Sequence, residues 1–359
     1  MLSFILKRLF YGFLVLFGVI TVVFLLFNVL PGDPARMMLG QRADIASIEA
    51  INRDLGRDRP LHIQYVNYLN DISPVSYHTL DDRSSTWYLN TENYDVAWQL
   101  EFGEASVLVL KRPYLRRSYQ SQRKVSDILA EAIPLTALLA FVSIAIACFL
   151  GIIIGIISAL YKDSVFDRLA LVISVFGMSL PSFFAAILIA WLFAFLLADY
   201  TGLSMFGSLY SIDDFGEGAY LDLKNLILPA VTLGIRPLAI VVELTRNAFL
   251  DVLSQDYIRT AKAKGLNRFG IITRHAFKNA LNPIISAVSG WFASLMAGAV
   301  FVEYVFDWKG LGVIMVDGLE QFDFPVVMGT LLFISVVLVL INILVDIIYG
   351  FLDPRVRLQ

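Results

Sequence analysis

Charge is scarce in this chain. Of its 359 residues only 16% are Asp, Glu, Lys or Arg, while 58% are hydrophobic. Soluble globular proteins carry roughly 25% charged and about 45–50% apolar residues, so both departures favour lipid as the solvent. Cysteine is scarcer still. Cys148 is the single one; it excludes an intrachain disulfide, and its place in an apolar run makes it packing. Three histidines, His62, His78 and His275, are too few and too scattered for a metal site. A net charge of -3 offers little to a nucleic acid, whose affinity rests on neutralising phosphates. No Gly-x-x-x-x-Gly-Lys-Ser/Thr phosphate loop occurs, so the chain should not hydrolyse ATP itself. There is no His-Glu-x-x-His and no nucleophile with a positioned base.

What is abundant is long apolar sequence. A bilayer core takes about 20 apolar residues as a helix. Charge-free stretches of that length run over Leu9–Gly32, Ala132–Tyr161, Leu169–Ala198, Asn279–Val302 and Phe324–Val345. A sixth, Asn225–Phe249, is interrupted by Arg236, Glu243 and Arg246. The expected fold class is therefore an all-α integral membrane protein with six transmembrane helices. An open sheet would leave backbone groups unpaired in lipid, and a closed barrel needs short alternating segments rather than continuous runs. The first run is preceded by Lys7 and Arg8 but is too long for a signal-peptide core. It ends in the turn Leu30-Pro31-Gly32-Asp33-Pro34, and reads as an uncleaved first span.

Basic residues orient the spans. Lys7 and Arg8 place the N-terminus in the cytoplasm. The loop from Arg246 to Lys278 carries seven Lys/Arg, and that from Glu303 to Asp323 carries five acids against Lys309. Alternating six spans puts the first loop inside and the second outside, with the tail 353–359, including Arg355 and Arg357, inside. The long loop 35–125 falls outside with twelve basic residues, which long loops carry across regardless. Within it, Thr86-Trp87-Tyr88-Leu89, Val96–Leu100 and Val107–Leu110 alternate in the manner of short strands. The segmentation is thus an N-terminal span (1–34), an extracytoplasmic insertion (35–125), a five-helix core (126–352) with an inner loop at 250–279, and the tail.

The inner loop carries the most specific chemistry. Asp256-Tyr257-Ile258-Arg259-Thr260-Ala261-Lys262-Ala263-Lys264-Gly265-Leu266 is expected to be helical, with Tyr257, Ala261 and Gly265 at intervals of four on one face. Small residues there would let a partner approach closely, ringed by Arg259, Lys262 and Lys264. Gly265 then permits a turn into a second helical stretch, Arg268–Asn279. A knob that docks into a soluble partner and a solvated basic face on anionic lipid both fit these residues.

The segment also resembles the EAA loop of ABC-importer permeases, the coupling helix that docks on the ATPase. Arg259-Thr260-Ala261 stands where the general pattern begins with glutamate, and Arg274 to Pro283 departs from its usual ending. Both departures resemble the dipeptide/oligopeptide/nickel permease family, with its Asp-Tyr-Val-Arg-Thr-Ala-Arg-Ala-Lys-Gly. Further segments are similar to the same family: Lys7-Arg8-Leu9 with Leu30–Pro34, Arg117-Ser118-Tyr119, Val125–Leu129, Leu180-Pro181-Ser182-Phe183, Val302–Phe306, Gly310-Leu311-Gly312 and Leu352-Asp353-Pro354-Arg355. Lys309 replaces a common proline. The similarity spans nearly the whole chain except about Asp71–Pro113, which looks like an insertion. The resemblance implies an importer permease of type I fold, carrying di- or oligopeptides. Its implied partners are two ABC ATPase subunits, a second, related permease subunit forming a heterodimer, and an extracytoplasmic substrate-binding protein. ATP and Mg would be used by the ATPases; no cofactor is expected on this chain.

Candidate site residues follow. Asp256, Tyr257, Arg259, Thr260, Ala261, Lys262, Ala263, Lys264, Gly265 and Leu266 are the ATPase-coupling candidates. Arg236, charged at membrane depth, is a candidate for the translocation path or its gate, as are Pro181 in the third span and Glu303 at the outer end of the fifth. Glu243 and Arg246, three apart, are expected to form a local ion pair, and Asp346 to be structural. Gly151 and Gly155 form a small-xxx-small pattern that packs helices closely. Two alternatives stay open: nickel or another small solute as cargo, and an ion-driven secondary transporter, although no inverted repeat or midplane acid is evident.

Overall fold

The computed structural model describes residues 2–29, 52, 58–81, 85, 87–102, 105–212 and 218–352. The expected turn at Leu30–Pro34 and the tail 353–359 lie outside them. The chain forms two compact units, one of residues 1–13, 132–313 and 336–359, the other of residues 14–131 and 314–335.

Helices dominate. Apart from two single turns, Ala198–Thr201 and Arg268–Gly270, the α-helices of the described residues are α1 (Leu2–Val29), α2 (Leu61–Ile72), α3 (Val125–Leu160), α4 (Val165–Ser179), α5 (Ser182–Ile189), α6 (Lys224–Leu253), α7 (Asp256–Ala263), α8 (Phe277–Gly298), α9 (Val300–Phe306), α10 (Leu311–Glu320) and α11 (Phe324–Leu352). Among the described residues, four helical stretches are long and apolar enough to cross a membrane: Ile5–Asn28, Val125–Leu160, Lys224–Leu253 and Phe324–Ile347. The other two expected spans are broken. The third bends by 111° between α4 and the stretch Ser182–Leu196, and the fifth by 57° between Pro283–Met296 and α9. Proline explains the first bend. Pro181 has no N–H to continue α4 and disfavours helical backbone at Leu180, whose ψ is 129°. The described residues therefore hold four helices able to cross a membrane, or up to six if each bent pair counts once.

In the first unit, α3, α4 and α8 pack on α6, and glycine sets the approach. A Cβ on Gly155 would stand 2.6 Å from Thr245 Cβ and 2.7 Å from the Val242 carbonyl; one on Gly151 would stand 2.8 Å from Val241 Cγ1. The small-xxx-small pattern of α3 is thus a packing seam against α6. Gly234 repeats it from the other side, where a Cβ would stand 3.0 Å from the Ser143 carbonyl oxygen. Leu139, Leu226, Leu233, Leu295, Phe306 and Trp308 belong to the main apolar cluster. Buried Trp308 donates its Nε1–H to the Leu135 carbonyl at 3.1 Å, which removes its one polar liability. Arg8 pairs with Asp346 at 3.1 Å, a structural role for that aspartate.

The second unit holds a three-stranded antiparallel sheet, β1 (Val75–Thr79), β2 (Val96–Phe102) and β3 (Ser106–Lys111), in the order β1-β3-β2. Two of the three expected strands are β2 and β3. Of the third stretch, the described residues 87–89 form an isolated bridge, Tyr88 with Thr79, and β1 is the third strand of the sheet. Two very short strands, β4 (Tyr210–Ile212) and β5 (Ala219–Leu221), pair separately. In the second unit, α2 packs Tyr65, Tyr68 and Ile72 against Val23, Phe24, Met328 and Leu332. Asp71 ties sheet to helix. Its carboxylate accepts from Tyr94 Oη at 2.8 Å and Arg116 Nε at 3.3 Å, and its carbonyl accepts from Lys111 Nζ at 2.5 Å. Burial pushes the Lys111 ammonium down to about 8. The same cause, with Lys111 beside it, lowers His78 below its ordinary 6.5.

Candidate functional site

The segment expected to couple to a partner folds as helix α7, and its end is built as expected. Gly265 takes a left-handed φ of +78°. Gly265 N–H donates to the Lys262 carbonyl at 3.0 Å and Leu266 N–H to that of Ala261 at 3.3 Å, the paired bonds of a Schellman stop. Asn267 caps the next turn by accepting from Gly270 N–H at 2.7 Å. The chain then runs through a π-helical turn, Ile271–Ala276, into α8.

The face presented outward differs from expectation. Ala261 is buried, and fully buried Ile258 lies beside it; with Ile271 they form a small core that packs Val252 and Leu253. The apolar anchor is thus Ile258–Ala261, three apart, and not the four-residue series through Ala261. Burying a β-branched aliphatic outweighs any preference for keeping alanine at the surface. The exposed residues are Asp256, Tyr257, Arg259, Thr260, Lys262, Ala263, Lys264, Gly265 and Leu266. Phe269 is exposed at 74%. Tyr257, Leu266 and Phe269 therefore form exposed apolar points among Arg259, Lys262 and Lys264. Tyr257 is steadied by Asn279, whose Nδ2 donates to Oη at 3.1 Å.

This element is fastened to the α3–α4 corner. Arg246, ten residues before α7 on the last turns of α6, does not pair locally with Glu243 as expected. It forms a two-pronged bond with Asp167, Nε to Oδ1 at 2.6 Å and Nη2 to Oδ2 at 2.7 Å. Asp167 is buried and also accepts from Ser158 Oγ and Asp163 N–H, each at 2.9 Å. Beyond α7, the Arg268 guanidinium lies 5.8 Å from the Tyr161 ring centre and donates to the Leu160 carbonyl at 3.4 Å. Contacts on both sides of α7 therefore reach the same corner. Sequence reasoning missed the Asp167–Arg246 pair; 79 residues separate them, and nothing local marks the partnership.

The path candidates separate. Arg236 is exposed and lines a small open cleft of about 90 Å³ with Thr232, Trp291 and Ser294, and with Leu180 and Ser182 on either side of Pro181. The bend and the arginine thus share one cleft. Glu303 does not belong to it. It is 0% exposed, accepting from Thr136 Oγ1 at 2.7 Å and Gly312 N–H at 2.6 Å. The glycines of Gly310-Leu311-Gly312 make that cradle possible. A Cβ on Gly310 would meet the Glu303 carboxylate at 2.5 Å, and one on Gly312 would meet Val300 Cα at 2.4 Å. A carboxylate enclosed this way orders its loop; the expected place on a path or gate surface is not where it lies. Asp323 is likewise turned inward, accepting from Ser118 Oγ at 2.5 Å and Tyr119 N–H at 2.9 Å, which withdraws two of the five acids of the 303–323 loop from its surface.

Long apolar helices, two of them bent, with an exposed amphipathic helix between the fourth and fifth stretches define a multi-pass membrane protein. Comparison with known proteins narrows this. Residues 151–358 match the family described as binding-protein-dependent transport system inner membrane component, and residues 1–82 match the N-terminal module of such components. The di/tripeptide transport system permease protein DppB of Pseudomonas aeruginosa is 33% identical over 380 residues, covering 100% of both chains. The glutathione transport system permease protein GsiC of Escherichia coli is 33% identical over 357 residues, covering 99% of both. A chain of the MetNI methionine ABC transporter, solved in an inward-facing conformation, superposes with a TM-score of 0.50 at 18% identity, over 64% of this chain and 97% of that one; it shares the fold. The chain belongs to the family of inner-membrane components of binding-protein-dependent transport systems.

Proposed function

We propose that this chain is the translocating subunit of an ATP-driven importer of di- or oligopeptides. The cargo follows the relatives, which are named for di/tripeptide and glutathione transport. The observation that carries the coupling role is the construction of α7: a stopped, capped helix with exposed Tyr257, Leu266 and Phe269 among basic residues, fastened on both sides to the α3–α4 corner. An ATPase hydrolysing ATP with Mg would close against this surface, and the chain itself would bind no nucleotide. Closure can shift the permease only by binding one of its conformations better than the other. The fastened corner gives that preference a route into α4 and α6, which line the cleft holding Arg236.

Each bent pair is proposed to make one span, for six in all, with both termini and α7 in the cytoplasm. The working assembly is two permease subunits, this chain and a related one, two ATPases, and a binding protein that delivers cargo outside. The test is to tag this chain, express it with its neighbouring genes, extract it in mild detergent and identify what co-purifies. An ATPase that accompanies wild type supports the assignment. A chain that purifies alone and transports in vesicles on an ion gradient overturns it.

A further inference from the structure

The three-stranded sheet of the second unit has one apolar face that, among the described residues, has nothing packed on it. Ser76, His78, Val107, Val109 and Lys111 point to the covered side. The register aligns the opposite side: Val75 with Leu110, Tyr77 with Leu108, then Trp98 with Leu110, Leu100 with Leu108 and Phe102 with Ser106. Val75, Tyr77, Leu110, Trp98, Leu100 and Phe102 are all exposed, Trp98 at 58%. Trp87 extends the patch, its ring edge-on to Tyr77 at 5.7 Å. No residue on this face is charged; the exposed Gln99 and Glu101 of β2 alternate onto the other side. Proteins bathed in water avoid apolar patches of this kind.

The height of the sheet says what covers it. Ile72, three residues before Val75, packs in the cluster of Val23 and Phe24. Those two lie within five residues of Asn28, the end of the apolar run Ile5–Asn28, or about 6–8 Å along a helix. Three residues span at most about 10 Å. From the same end of the sheet, Leu115, four residues past Lys111, packs with Met328 and Leu332 in the first turns of α11. The Val75–Leu110 end of the sheet, where Trp98 also pairs, is therefore pinned at the depth where hydrocarbon gives way to headgroups. Trp and Tyr collect at that depth, and an apolar face resting there sinks about 5–10 Å into the boundary. A soluble docking partner would leave the face in water each time it departed.

We propose that the Trp98–Leu100–Phe102 face of this sheet rests in the interfacial layer of the bilayer at the Asn28 end of α1. Which leaflet this is follows from the orientation proposed above; the contact with lipid does not depend on it, nor on the cargo. The sheet would then hold the second unit level with the membrane surface.

The test is site-directed spin labelling of the full chain with its co-purifying subunits in phosphatidylcholine/phosphatidylglycerol nanodiscs. Cys148→Ala removes the one native thiol, and nitroxides are placed at Leu100→Cys and, on the opposite side of the same strand, at Gln99→Cys. At position 100, collision with oxygen should exceed collision with a neutral nickel chelate several-fold, and the order should reverse at 99. Phe102→Cys gives a second reading of the same face. Free access of nickel to 100 and 102 would show a water-facing sheet. Exclusion of both reagents would show a protein partner. Either result overturns the proposal.

Discussion

Replacing Gly265 separates backbone strain from lost docking. A Cβ there would meet nothing within 4 Å, so the chain itself has room for a side chain. The intrinsic cost is the left-handed φ of +78°, about 1 kcal/mol for alanine, or roughly a fivefold shift in a local equilibrium. Aspartate tolerates that backbone better than most residues, so Gly265→Asp should strain the turn no more than Gly265→Ala. It differs by placing a carboxylate beside Lys262 and Lys264 on the face proposed to meet the ATPase. Peptide uptake should therefore fall modestly in the alanine variant and vanish in the aspartate variant, with both proteins at wild-type level in the membrane. The assay is uptake of labelled dipeptide by cells, alongside immunoblots of membrane fractions. Full uptake by Gly265→Asp would refute the docking role. Equal defects in both variants would place the fault in the turn alone.

Three other perturbations follow from the packing and the charges. Asp167→Asn leaves Arg246 with half its partner in a buried setting, and breaking such a pair costs about 3–5 kcal/mol; thermal unfolding in detergent should show a large drop, partly restored in the double variant Asp167→Ala/Arg246→Met. Gly155→Ala forces a methyl to 2.6 Å from Thr245 Cβ and should lose about 1–3 kcal/mol by overpacking, whereas Gly18→Ala, with open space around it, should be neutral or stabilising in the same melt. The sheet should loosen in acid. Burial holds His78 below its ordinary 6.5, so the unfolded chain takes up the proton first, and stability present above about pH 6.5 is lost as pH falls below it. Lys111, held at about 8 instead of 10.5, acts in the same direction at higher pH: stability rises between those two values. Amide exchange in β1–β3, corrected for its intrinsic pH dependence, reads both windows, and His78→Gln should remove the lower one.

The spans were legible because lipid leaves apolar length as the dominant signal. Their bends were less so. Pro181 was noticed within a run that looked continuous, and a proline in a span either kinks it or breaks it depending on packing that composition does not carry. In α7, the spacing of small residues pointed to the wrong face; Ile258, the one large aliphatic inside the helix, marked the buried side and was the better guide. Helix α2 also left a readable trace, since Leu61, Tyr65, Tyr68 and Ile72 fall at helical intervals. The bonds of Asp167 to Arg246 and of Glu303 to Thr136 join residues 79 and 167 apart, and no local pattern could show them. Gly310 and Gly312 were visible as a motif, but their reason appeared only once the Glu303 carboxylate was placed between them.

The claim at the centre is that ATP, acting through a partner on α7, drives peptide movement through this chain. The most direct measurement is uptake of a labelled dipeptide into proteoliposomes holding the purified assembly and its binding protein, with ATP and Mg on the α7 side. Uptake that requires ATP and is indifferent to ionophores is the expected result. Uptake that proceeds without ATP and collapses when the ion gradient is dissipated would contradict it.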